Sequence, residues 1–193
     1  MPDRSATRLR AISRLRAQLG VAAAVAFSAC SHSASDAAST LFGVEQSGLT
    51  PTEVAELERI FSAWFPPGAD GLGYLDPNCG DVEPAAEAAD LNRDGTSEVF
   101  VQWGNACTSG STGRSLSLFL KDASGAYRDQ FGFPALGYRF IEPGSGGYPD
   151  VELGGPGFCM PIWGWQGTAY EFKCNQPQAV GGCAFETNVC TDR

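Results

Sequence analysis

Hydrophobic and polar residues alternate with a helical period near Leu49 and change to a strand pattern after Glu98. Thr50 stands at an N-cap position, Pro51 at the first helical position, and Glu53 completes a capping box. Apolar residues then recur at helical spacing until Pro66: Val54, Leu57, Ile60, Phe61, Trp64 and Phe65. We therefore expect one N-terminal helix whose apolar face packs against a sheet.

From Glu98 onward, short apolar runs are separated by Gly, Pro and Ser, which is typical of antiparallel β-structure. Two hairpins are predicted around Ser124-Gly125 and Gln166-Gly167. The predicted strands cover 97–103, 115–121, 126–132, 136–142, 149–154, 159–165 and 168–174. This pattern predicts a mostly β fold: a compact antiparallel β-sheet domain, either a sandwich or a partial propeller, with one N-terminal α-helix.

The first 29 residues have the composition of a secretion signal, with five arginines ahead of an apolar stretch that ends at Ala29. That stretch is about half of the roughly 20 residues that a membrane-spanning helix needs. We expect residues 1–29 to be removed and residues 30–48, which are rich in Ser and Ala, to form a flexible tether. Residues 49–193 then form a single β-rich domain.

Phe27, Ser28, Ala29 and Cys30 resemble a bacterial lipobox, although Phe27 stands where leucine is usual. The resemblance implies lipidation of Cys30, and Ser31 in the next position implies anchoring in the outer membrane of a Gram-negative cell, facing the periplasm. Ordinary cleavage near Ser31, which would release a free periplasmic protein, is the alternative.

Six cysteines remain after Cys30, and an even number in an exported protein predicts three disulfides. They are Cys79, Cys107, Cys159, Cys174, Cys183 and Cys190. Six cysteines allow about fifteen connectivities, and pairing of nearest neighbours along the chain is our prediction. A zinc site is disfavoured because the domain has neither CxxC pairs nor histidines.

Charge and histidine content narrow the function classes. Removing the signal takes five of 13 basic and one of 22 acidic residues, which leaves 8 against 21, a net charge near −13. Such a surface repels nucleic acids and anionic lipids, so we expect no nucleic-acid partner and membrane contact through the lipid anchor only.

His32, in the tether, is the single histidine of the chain, which excludes histidine-dependent catalysis from the domain. Asp150, Glu152 and Glu171 offer carboxylates, but no spacing selects a glycosidase pair, so we predict no enzymatic activity and no catalytic residues.

Residues 90–98, DLNRDGTSE, place oxygen-bearing side chains at Asp90, Asn92, Asp94 and Glu98, with glycine at the sixth position. Calcium takes six to eight oxygen ligands, and a tight loop supplies them from alternate residues. The backbone carbonyl of Thr96 would add a fifth ligand. The twelfth position is apolar, so the loop is not an EF-hand. We predict a structural calcium ion here, and an acidic turn without metal is the alternative.

A loop closed at its ninth position and followed by a strand resembles the calcium loops of FG-GAP or VCBS-type repeats. A second copy is visible in Glu142–Gly157, where Asp150 aligns with Glu98 at a spacing of 52 residues. Glycines replace several of its ligand positions, so this copy is not expected to bind metal. The resemblance implies an adhesion or scaffold module.

As a small disulfide-linked envelope lipoprotein, this chain also resembles periplasmic inhibitors of lysozyme-like peptidoglycan hydrolases and the related immunity proteins. Those inhibitors use a Ser-Gly-x-x-Tyr loop, and this chain has two segments that are one residue shorter, Ser145–Tyr148 and Ser124–Tyr127. The resemblance implies a protein partner, a basic peptidoglycan hydrolase, bound through Ser145, Gly146 and Tyr148. Acidic charge favours such a partner through electrostatic steering.

Overall fold

The computed structural model describes residues 48–69 and 73–191, which belong to one compact unit. The signal sequence, the lipidation site at Cys30 and nearly all of the tether lie outside the described residues. The mostly β class, the antiparallel sheets and the N-terminal helix are as predicted.

The helix α1 spans Pro51–Trp64 and begins with the predicted capping box, in which Thr50 and Glu53 satisfy each other's backbone amides. Ten strands follow within the described residues: β1 Tyr74–Asp76, β2 Gly80–Val82, β3 Ala85–Ala89, β4 Glu98–Trp103, β5 Ser115–Lys121, β6 Tyr127–Pro134, β7 Gly137–Ser145, β8 Tyr148–Gly154, β9 Cys159–Trp165 and β10 Tyr170–Pro177. A four-residue helix α2, Ala106–Ser109, and a 3-10 turn, Gly110–Thr112, lie between β4 and β5.

The strands after β2 form two antiparallel sheets with the same simple order. The first sheet is β3-β4-β5-β6 and the second sheet is β7-β8-β9-β10, while β1 and β2 form a separate pair. The hairpin around Ser124-Gly125 has the expected register, with Leu118 opposite Phe131. The strand β3 was not predicted, because its sequence AAEAA has neither alternation nor high β-propensity.

Alternation along β4 places the first sheet between the helix and the second sheet. Val99 and Val101 pack with Leu57 and Phe61 of α1 in one apolar cluster. Phe100, on the opposite face, belongs to a second cluster with Val151 and Leu153 of β8. The fold is therefore three layers, helix, first sheet and second sheet, with a core on each side of the first sheet.

The three predicted disulfides form, but nearest-neighbour pairing is correct only for Cys79–Cys107. The other bonds are Cys159–Cys183 and Cys174–Cys190. The prediction was wrong because strands β9 and β10 are antiparallel, and the tail after β10 returns to both of them. Each of these bonds fastens the tail to a strand instead of joining two neighbouring cysteines.

Candidate metal centre

The loop between β3 and β4 is organised by its own carboxylates. Asp90 accepts the amide N–H of Asp94 at 3.1 Å and of Gly95 at 3.0 Å, one on each carboxylate oxygen. Asp94 accepts the amide N–H of Thr96 at 2.7 Å and the side-chain amide of Asn92 at 2.7 Å. Backbone φ angles of 63° at Arg93 and 86° at Gly95 let the chain turn tightly enough for these bonds.

Glu98, the first residue of β4, lies behind this loop and is 2% exposed. Its Oε2 accepts the amide N–H of Leu91 at 2.7 Å. Its Oε1 is 3.5 Å from the hydroxyl of Tyr148, which comes from the second sheet. Among the described residues, no lysine or arginine forms a salt bridge with this carboxylate.

The pKa values of two carboxylates in the loop are shifted in opposite directions. Burial raises the pKa of Glu98 above its usual value, and the nearby charges of Asp94 and Asp90 raise it further, against the lowering effect of the Leu91 amide. The pKa of Asp94 is lowered by the hydrogen bond from Asn92, followed by that from the Thr96 amide. The exposed end of the loop therefore keeps its negative charge easily, whereas the buried end carries charge at a cost.

The predicted ligands lie in one loop and all offer oxygen, the donor that calcium prefers, but the carboxylates of Asp90, Asp94 and Glu98 are not grouped so that they could hold a metal ion. Asp90, Asn92 and Asp94 are linked by the hydrogen bonds of the loop, and Glu98 closes it through Leu91. Across residues 48–69 and 73–191, no three His, Cys, Asp or Glu side chains are grouped so that they could hold a metal ion.

The predicted partner segment lies directly beside this loop. Ser145 and Tyr148 pair across a two-residue turn, and φ angles of 60° and 84° at Gly146 and Gly147 are those of a type I′ hairpin. Ser145 donates its hydroxyl to the backbone carbonyl of Trp165. The ring of Tyr148 packs on Trp165 with centroids 4.5 Å apart.

A cleft of about 470 Å³ opens between the loop and two neighbouring turns. Its lining includes both hairpin tips that carry the Ser-Gly pattern, since Gly125 and Tyr148 both contribute to it. The full lining is Asp94, Thr96, Glu98, Lys121, Asp122, Ala123, Gly125 and Tyr148. The sequence placed these segments far apart, and the structure brings them to one surface.

The two tyrosines of these segments have different surroundings. Tyr127 is 2% exposed and belongs to the core beside α1, where its hydroxyl lies 3.3 Å from Glu53 Oε1. Tyr148 is half-buried and lines the cleft. Of the two, the Ser145–Tyr148 segment is the one whose tyrosine can reach a ligand in the cleft.

Sequence inspection missed the cations of the second sheet. Lys173 Nζ is 2.7 Å from Oδ2 of Asp150, and Arg139 makes two bonds, 2.6 and 2.8 Å long, to the carboxylate of Glu152. Both acidic residues are almost fully buried. Lys173 lies on β10, which β9 separates from β8, so no local sequence signal connects it with Asp150, whereas Arg139 lies directly opposite Glu152 in the β7–β8 hairpin.

Asp150 aligns with Glu98 in the predicted repeat, and the two residues have matching places in the fold. Each lies on the second strand of a four-stranded sheet, and the residue after each of them, Val151 and Val99, packs toward the preceding layer. The two places differ in what neutralises the carboxylate. Lys173 forms an ion pair with Asp150, whereas no lysine or arginine of the described residues forms one with Glu98.

No helix among the described residues is both long and apolar enough to cross a bilayer. Comparison with models of protein families, with curated proteins and with solved structures gives no match.

Proposed function

We propose that this protein is an exported envelope lipoprotein whose loop 90–98 binds a structural calcium ion and whose adjoining cleft binds another protein. The observation that supports it best is the buried carboxylate of Glu98, which is 2% exposed and has no basic partner in the described chain. A buried carboxylate is costly unless a cation or hydrogen bonds neutralise it. At the equivalent place in the second sheet, Lys173 meets that need for Asp150.

The residue types of this loop match the oxygen ligands that calcium prefers, and binding requires Asp90, Asp94 and Glu98 to move together, since they are not grouped to hold a metal ion. Asp90, Asn92 and Asp94 would supply side-chain oxygens, Thr96 its carbonyl, and Glu98 its carboxylate, with water in the remaining positions. When bound, the ion would offset the clustered negative charge and fix the bend ahead of β4. Extracellular calcium modules bind at roughly 0.1–1 mM, so a stabilising role fits better than a sensing role.

Calorimetric titration of the oxidised mature protein with calcium tests this part of the proposal. We expect binding with a dissociation constant of about 0.1–1 mM. The absence of heat, together with an empty loop in crystals grown with calcium, would contradict it.

For the partner we propose a basic peptidoglycan hydrolase of the lysozyme type. The mature chain has a net charge near −13, from 8 basic and 21 acidic residues. The cleft beside the predicted contact residues Ser145, Gly146 and Tyr148 is lined by Asp94, Glu98 and Asp122 and also by Lys121, so the attraction comes from the net charge of the mature chain and not from the cleft alone. A basic partner would therefore associate rapidly and in a salt-dependent way.

A turbidity assay with purified lysozymes of several types tests the inhibitor function. Ala123→Arg places a cation at the cleft, and we expect it to weaken inhibition by about tenfold or more, the effect of roughly 1.4 kcal/mol in binding. Ala184→Arg is the matched control, because it makes the same change of charge at an exposed residue that does not line the cleft. Equal inhibition by both variants, or no inhibition by the wild type, would overturn this assignment.

Adhesion or scaffolding without inhibition is the second candidate. It is favoured by the two sheets of identical strand order, which suit the repeat resemblance seen in Glu142–Gly157. Two sheets are fewer than the four or more blades of a complete propeller. Specific binding to a non-hydrolase envelope protein, with no effect in the turbidity assay, would support it.

A further inference from the structure

The four most exposed large hydrophobic residues of the described chain lie together at one end of the second sheet. Leu136 precedes β7, Phe158 precedes β9, and Val180 and Phe185 belong to the tail after β10. Leu136 is 59% exposed, Phe158 is 65% exposed, and Val180 and Phe185 are exposed over their whole surface. We call these four residues the apolar tip.

Hydrogen bonds and a disulfide hold the segments that carry the apolar tip. The amide N–H of Gln178 donates to the carbonyl of Phe158 at 2.8 Å, which joins the tail to the connection ahead of β9. The bond between Cys159 and Cys183 fastens the same two segments covalently. An ordered backbone therefore presents these side chains to the solvent.

The segments around the apolar tip have no charged side chain, although the mature chain has a net charge near −13. These uncharged segments are 134–138, 153–161 and 174–185. Beside them lies a groove of about 270 Å³, and the described residues that line it, Phe133 and Met160 among them, are all uncharged. Such a surface can leave water without the cost of desolvating an ion.

We propose that the apolar tip inserts into the headgroup region of a zwitterionic lipid bilayer, as a contact additional to the lipid anchor. This contact goes beyond the proposed calcium and partner sites, which lie at the other end of the second sheet. Strand β8 runs from Tyr148 to Gly154, which is about 20 Å at roughly 3.3 Å per residue. Insertion of the tip therefore leaves the cleft at Tyr148 in the aqueous space, where a protein partner can reach it.

The full exposure of Val180 and Phe185 favours lipid over a rigid partner. A folded protein needs a matching pocket to bury side chains that stand clear of the surface, whereas fluid lipids close around them on every side. A second copy of the chain would bring two net charges near −13 together. Zwitterionic headgroups carry no net charge and do not repel the acidic remainder of the chain, and Glu186, next to Phe185, can stay at the level of the headgroups.

Sedimentation with phosphatidylcholine vesicles tests the proposal. The protein is the oxidised mature chain with Cys30→Ser, which removes the predicted site of lipidation, so that binding depends on the chain itself. A single myristoyl chain binds membranes with a constant of about 10⁴ M⁻¹. We expect the apolar tip to bind more weakly, with half of the protein bound at roughly 1 mM lipid.

Phe185→Ala should weaken this binding by about tenfold, because it removes the largest fully exposed side chain of the tip. Phe172→Ala is the matched control, since Phe172 is also partly exposed but lies on β10 against Trp163, outside the tip. This control should bind like the wild type, and thermal melts check that both variants are folded. Replacing about a third of the lipid by phosphatidylglycerol should weaken wild-type binding, because the chain and the surface are then both negative.

The absence of binding to phosphatidylcholine vesicles overturns the proposal. Equal weakening by Phe185→Ala and Phe172→Ala also overturns it, as does binding that grows with phosphatidylglycerol. Self-association in sedimentation velocity that Phe185→Ala abolishes, without vesicle binding, overturns the bilayer contact and assigns the tip to an interface between two copies. The calcium titration and the turbidity assay are independent of these results, so this proposal and the proposed function can fail separately.

Discussion

Lys173 neutralises Asp150 on the outer face of the second sheet: Nζ is 2.7 Å from Oδ2 of a carboxylate that is 1% exposed. Gly164, on the neighbouring strand, leaves room for the pair, since a Cβ there would lie 2.9 Å from Asp150 Oδ1 and 3.3 Å from Cδ of Lys173. The second sheet thus carries its own cation where the first sheet has the candidate calcium loop.

Removing that cation should destabilise the fold. Lys173→Met leaves the Asp150 carboxylate buried without its ion pair, and we expect the free energy of unfolding to fall by about 1–3 kcal/mol. The loss is smaller than for a fully buried pair because the Lys173 side chain is 47% exposed. Urea denaturation measures it. The double variant Lys173→Met, Asp150→Asn should recover most of the loss, and a strictly additive loss would contradict the pairing.

Glu98→Gln should have opposite effects with and without calcium. Because the pKa of Glu98 is raised in the folded state, the fold favours the protonated acid, so this contribution to stability is present below the ordinary pKa and is lost as pH rises through the folded pKa. Glutamine keeps an acceptor for the Leu91 amide and removes the charge. At pH 7 in chelator the variant should melt at the wild-type temperature or higher, whereas in calcium it should lack the wild-type increase. Thermal melts in both buffers decide this, and an equal drop in both would argue against a bound ion.

The N-terminus of α1 should contribute to acid unfolding. Burial tends to raise the pKa of Glu53, but hydrogen bonds from Lys121 and Thr50 together outweigh it and lower the value to about 2. The stability from ionised Glu53 is therefore present above its usual pKa of 4.5 and is lost as pH falls toward 2. Glu53→Gln should cost about 1–2 kcal/mol at pH 7 and flatten the decline of stability between those values, as measured by urea unfolding across pH. A decline as steep as that of the wild type would show that other acids are responsible.

Peptide mapping without reduction should recover the cross-links Cys159–Cys183 and Cys174–Cys190, and not the nearest-neighbour pairs.

The Cys79–Cys107 bond closes a segment of 28 residues, so replacing both cysteines by alanine should lower the free energy of unfolding by about 3–4 kcal/mol, mainly because the unfolded chain becomes less restricted. Unfolding of that double variant with the other two bonds oxidised gives the measurement. A loss below about 1 kcal/mol would contradict the chain-entropy account.

Local features were readable from the sequence because short-range forces decide them. The capping box at Thr50 and Glu53 forms as predicted, and so do the hairpin around Ser124-Gly125 and the tight turn of loop 90–98. In each case the residues that interact are within a few positions of one another, so residue type and spacing are enough.

Tertiary structure decided what depends on residues far apart in the chain. It set two of the three disulfides, recruited β3 through pairing with β4, and placed the Tyr148 hydroxyl beside Glu98 across 50 positions. It also gave Asp150 a lysine 23 positions away and left Glu98 without one among the described residues. Burial makes this difference matter, because a carboxylate removed from water needs a neutralising partner, and only the order of strands in the folded sheets determines which side chain can reach it.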